Sequence, residues 1–141
     1  MSLERVNPPS LAPARGFSHA VVADGRAVYL AGQTALDASG RVVEGDIVAQ
    51  FKQALGNLLE ALGAAGGRPG QLVSLTIYVV DVEGYKSRAR EIGEVWRRLV
   101  GSDYPAMAAL GVSRLWDVEA LVEVQGVAVI AVSDGEVSEG S

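Results

Sequence analysis

Apolar residues recur along this chain in two periods. Ile47, Phe51, Leu55, Leu58, Leu59 and Leu62 stand three and four apart, which places them on one face of a helix. Asp46 precedes that run as an N-cap. "AAGGRPG" at 64–70 ends it, because glycine supplies a left-handed turn and proline forbids continuation. Tyr85, Ala89, Ile92, Val95, Trp96 and Leu99 predict a second amphipathic helix. Strand-like stretches rich in β-branched residues cover 17–22, 27–31, 72–80, 104–112 and 120–132. Asp24-Gly25 reads as a hairpin turn between the first two, and "LDASGRVV" at 36–43 as a turn or a short further strand. This order of elements predicts an α+β fold, a mixed β-sheet with two helices on one face. The last strand presents Val122, Val124, Ala128 and Ile130 on one side and Leu121, Val127 and Val129 on the other. Two helices cover one side only, so a second copy of the chain is the simplest cover for the other, and a homo-oligomer is expected.

Composition narrows the function classes. The 141 residues suit one domain, long enough to bury roughly two thirds of its unfolded surface. Residues 1–15, rich in proline and serine, and the acidic 133–141 read as tails around a single domain at 16–132. No apolar run approaches the roughly 20 residues of a membrane span, so no membrane partner is expected. "MSLERVNPPS" lacks a signal-like apolar region, which argues against secretion. The chain has no cysteine, which excludes disulfides and thiol chemistry and fits the cytoplasm. A lone His19 cannot build a histidine-rich metal site. A net charge of −5 gives no electrostatic footprint for nucleic acid.

Polar residues inside the strands carry the candidate chemistry. Glu123 and Gln125 interrupt an apolar strand face, where burying a carboxylate is costly unless it is paired. Glu123 is therefore either an interface residue meeting a cation or solvent, or a general acid/base. "AGQT" at 31–34 closes a strand with a glycine that allows close approach to the backbone; it is a ligand-holding segment or a simple bulge. His19 reads as a hydrogen-bonded strand residue, Tyr85 and Trp96 as core, and Arg88, Arg90, Arg97 and Arg98 as a solvated helix face. "YPAMAALGV" at 104–112 has no charge at all, with Met107 in its middle.

These segments together are familiar. "GFSHAV", "VYLAGQTALDASGRVV", "GDIVAQFKQALGNLLEALGAAG", "VSLTIYVVDVEGY", "PAMAALGV" and "LVEVQGVAV" keep an order and spacing that resembles the Rid (reactive intermediate deaminase, YjgF-like) family over residues 16–131. The resemblance implies a Bacillus chorismate mutase-like fold and a homotrimer with three intersubunit clefts. It also implies a small-molecule ligand and hydrolysis of imines without cofactor or metal. Archetypal members act on 2-imino acids.

Carried over residue by residue, the family's site is altered here. Met107 stands where the archetype has the arginine that clamps the substrate carboxylate. Phe17 replaces a tyrosine, and Ala89 an asparagine. Glu123 matches the water-positioning glutamate, and Ala31, Gly32 and Gln33 match the substrate-binding backbone. The turn near Trp116 and Asp117 is one residue longer than the family pattern. Removing a carboxylate's charged partner costs about 2–5 kcal/mol, or roughly thirty-fold to several-thousand-fold in affinity. The resemblance therefore implies a divergent member: a hydrolase of an imine, an enamine or a related metabolite, or a non-catalytic binding or regulatory trimer. Ribonuclease activity, attributed to relatives, ranks third for a chain this acidic.

Overall fold

The computed structural model describes residues 3–132. Four strands form the main sheet: β3 (Arg26–Gln33), β6 (Val122–Ile130), β4 (Leu72–Val79) and β5 (Ala106–Gly111), in that spatial order. β6 runs antiparallel to both β3 and β4, while β4 and β5 are parallel, so the sheet is mixed. The most apolar strand thus lies inside the sheet, with both edges paired. Helix α1 (Ile47–Ala64) packs on β3 and β6, and α2 (Val82–Ser87) and α3 (Ala89–Leu99) form the crossover from β4 to β5.

One face of the sheet carries the core. Leu30, Leu75, Ile77, Val79, Val122, Val124 and Ala128 alternate toward the helices and meet Phe51, Leu55, Leu58, Leu62, Ile92, Val95 and Trp96. The intervening residues point the other way, where no helix among the described residues covers them. Tyr29 there is 81% exposed, opposite Val127 in register. The N-cap acts as expected, with the Asp46 carboxylate accepting from the Ala49 amide at 3.0 Å.

Three expectations need correction. The segment 1–15 is not a tail from Leu3 onward: β1 (Leu3–Val6) pairs antiparallel with β2 (Ala20–Ala23), and Arg5 donates to the Gly70 carbonyl at 3.2 Å. Four residues are too short to show a period. Asp24-Gly25 makes no hairpin, because β3 takes β6 as its partner, and Gly25 (φ +145°) lies flush against the Ile130 carbonyl where a Cβ would not fit. The second helix is two, broken at Arg88 (φ −110°, ψ +20°), whose guanidinium pairs with Asp46 at 2.8 Å and Glu91 at 2.7 Å instead of lying free in solvent. His19 lies just before β2, its Nε2 within 2.8 Å of the Ala12 carbonyl. Met1, Ser2 and the acidic segment 133–141 lie outside the described residues.

Candidate functional site

The candidate residues fall into two groups, on opposite faces of the sheet. The first surrounds Glu123. The β3–β6 register shifts between Leu30 and Gln33, so Ala31 and Gly32 form a bulge that bends β3 beside Glu123. A Cβ at Gly32 would overlap Glu123 Oε2 and lie 2.9 Å from its Cδ. Glycine here leaves the carboxylate its position, while φ is ordinary. Among the described residues no side-chain hydrogen bond or ion pair engages the Glu123 carboxylate. Its cross-strand neighbour on β4, Tyr78, donates instead to Gln125 Oε1 at 3.2 Å.

Helix α1 sets the position of this group. Gln50 is buried, donates to the Glu119 carbonyl at 3.0 Å and accepts from the Leu121 amide at 2.8 Å, which fixes the entry into β6 two residues before Glu123. Asn57 donates to the carbonyls of Thr34 (3.1 Å) and Leu36 (2.8 Å), holding the exit from the bulge. Both are polar residues inside an amphipathic helix, and that interruption of the apolar stripe is the signal in the sequence that marks them.

The second group lines a pocket of about 360 Å³ between β5, α3 and the loop before β2. Phe17, Ala89 and Met107 all line it. Small residues at Ala89 and Gly93, one helical turn apart, leave the volume, and Trp96, stacked on Tyr104 at 5.6 Å, closes part of it. Met107 follows the register of Leu75, on the helix side of the sheet, so its thioether packs against the core. Glu123 follows Tyr78, on the other side, with β4 between them. Within one chain the two groups of candidate residues therefore do not meet.

Two polar lining residues were not marked by periodicity. Tyr85 reads as core in the sequence, yet it lines the pocket and makes no side-chain hydrogen bond among the described residues. Burial pushes its phenol up to about 12, so at neutral pH it is a protonated donor. Arg15, in the segment before β2, is the one charged lining residue among the described residues. Arg114, by contrast, is spent on the carbonyls of Leu115 (3.1 Å) and Trp116 (3.1 Å) in the turn before β6. Among the described residues no three histidine, aspartate or glutamate side chains gather to hold a metal ion, and no helix is long and apolar enough to cross a membrane.

The endoribonuclease L-PSP family model matches residues 8–130. The chain belongs to that family, the YjgF/Rid family. It is 35% identical over 114 residues to the 2-iminobutanoate/2-iminopropanoate deaminase of Capra hircus, covering 80% of this chain and 79% of the relative. The Homo sapiens protein of the same name is 32% identical, with the same coverage. Among solved structures, a Rid-family protein of unknown function from Yersinia pestis, YyfB, superposes with a TM-score of 0.83 at 36% identity, over 92% of this chain and all of that one. The α+β architecture of this Rid protein is thus that of its relatives.

Proposed function

We propose that this Rid protein hydrolyses a small imine or enamine in a cleft completed by a neighbouring copy, and that it is not a 2-iminobutanoate/2-iminopropanoate deaminase. The observation that carries this reading is the split site. Glu123 has a carboxylate without a protein partner at a bulge on the uncovered face, while the pocket with Met107 lies on the other face of the same chain. A trimer of the family's kind brings the pocket of one copy against the Glu123 of the next.

In that cleft Glu123 accepts a proton from water as the oxygen attacks the C=N carbon. A C–O bond forms and the C=N π pair moves to nitrogen, which takes up the proton that Glu123 has accepted. Collapse of the carbinolamine expels ammonia and leaves a carbonyl. The backbone at Ala31, Gly32 and Gln33 is placed to hold the ligand beside this carboxylate. The absence of cysteine fits work in the cytoplasm.

Ammonia release from a panel of imines and enamines, with and without carboxylates, tests the proposal. Release abolished by Glu123→Gln is the expected result. No release from any member, or release unaffected by Glu123→Gln, overturns it. The uncharged wall at Phe17, Ala89 and Met107 favours a second reading, a non-catalytic binding or regulatory trimer, which predicts saturable binding without turnover.

A further inference from the structure

Arg15 has no role in the site described so far. Among the described residues thirteen others line the pocket, and every one is uncharged. Arg15 alone brings a cation, and among the described residues no ion pair or hydrogen bond engages its guanidinium. Exposed arginines often stand free; what distinguishes this one is the loop that carries it. Ser18, 4% exposed, donates its amide to Pro105 at 2.9 Å and its hydroxyl to the Tyr104 carbonyl at 2.7 Å. These bonds fasten the loop to the residues leading into β5, two positions from Met107. The Asn7 side chain accepts the His19 amide at 2.7 Å, and the His19 ring packs edge-on against Phe17 at 5.0 Å. Gly16 (φ +74°) makes the turn between Arg15 and Phe17, so that both border the same cavity. An unpartnered guanidinium thus belongs to an anchored loop that lines an otherwise uncharged pocket.

We propose that Arg15 is the anion contact of this pocket, and that its ligand is a monocarboxylate with an aryl or branched alkyl body. The apolar body fills the space beside Ala89, Gly93 and Trp96. The carboxylate sits near Arg15, not at Met107. This deepens the proposed function by naming a substrate class, and it rests on the pocket being one half of the cleft. It explains why loss of a cation at position 107 need not mean a neutral ligand: the charge has moved to another element. An imine with only a methyl or ethyl side chain has too little apolar body for this pocket.

The test is isothermal titration of the full chain, at low ionic strength, with 3-phenylpropanoate and with 3-phenylpropanamide. An exposed pair of this kind is worth a preference of about 1.5- to fivefold for the carboxylate. Arg15→Gln should remove that preference and leave the amide's affinity unchanged, and Arg15→Lys should keep part of it. High salt should erode it in the unmodified protein. Equal affinity for the two probes, a preference that survives in Arg15→Gln, or no binding of either probe overturns the proposal. Failure of the hydrolytic reading is separately visible. Absent ammonia release leaves an Arg15-dependent binding preference standing, and turnover that depends on Glu123 survives even where Arg15 makes no difference.

Discussion

Gly32 and Glu123 meet so closely that a Cβ at position 32 would displace the carboxylate. The obstructing atoms belong to the free end of a flexible side chain, so Gly32→Ala should move the carboxylate more than it disturbs the fold. We expect Tm to change by about 2 °C or less, while turnover falls about a hundredfold through misplacement of the carboxylate. Thermal unfolding and the ammonia assay check the two halves, and a large loss of Tm would show the contact to be structural. Met107 invites the opposite experiment. Hydrolysis of 2-iminopropanoate and 2-iminobutanoate by the unmodified protein should be negligible. Met107→Arg alone should restore little, and Met107→Arg with Phe17→Tyr more, because the two positions border one cavity and their effects couple. Robust turnover of either compound by the unmodified protein would sink this expectation.

Among the elements, α1 was the most legible in the sequence, and it is the one most tied to neighbours by charge. Asp46 caps it and also meets Arg88 across the start of α3. The Ala49 amide first, then the Arg88 guanidinium, hold the Asp46 carboxyl below its ordinary 3.8. A carboxyl lowered in the folded state stabilises the fold above its unfolded value, and that contribution disappears as pH falls through the folded value. Asp46→Asn keeps a capping side chain but no charge. The Tm gap between the two proteins should therefore be present at pH 6 and shrink as the pH drops below about 4; a gap independent of pH would refute the charge's role. The cap, the apolar stripe and the stop of α1 are local events, which is why the sequence shows them. The pairing of β3 with β6 and the ribbon of β1 with β2 are choices between distant partners, and no local pattern encodes them. The same division holds in the site. Glu123 and Gly32 stand out as a charge and a gap in apolar strands, whereas Arg15 and Tyr85 acquire their places only when a loop and a helix are folded onto β5.

At the scale of the whole molecule, two surfaces are unfinished. Among the described residues Tyr29 stands open on the face it shares with half-buried Val127 and Val129, and β5 is an edge strand without a single charge. Such edges are normally protected by charge, proline or a partner. We expect sedimentation equilibrium to give a trimer at micromolar concentration. Tyr29→Glu with Val127→Asp places like charges directly opposite each other across β3 and β6, and should shift the population toward monomer. A monomeric unmodified protein would remove the basis for an intersubunit cleft.

The central position of β6 has a consequence for how the chain is made. β3 and β4 do not touch each other in the sheet: β4 has β5 on one edge, but β3 and the other edge of β4 find their partner only in β6, the last strand of the described residues. On the ribosome, where synthesis runs from the N-terminal end, two apolar strands must therefore wait with open edges until residues 122–130 emerge. A nascent chain halted before Val122 should remain sensitive to protease and prone to capture by chaperones, and protection should arrive in one step once Ile130 has cleared the exit tunnel.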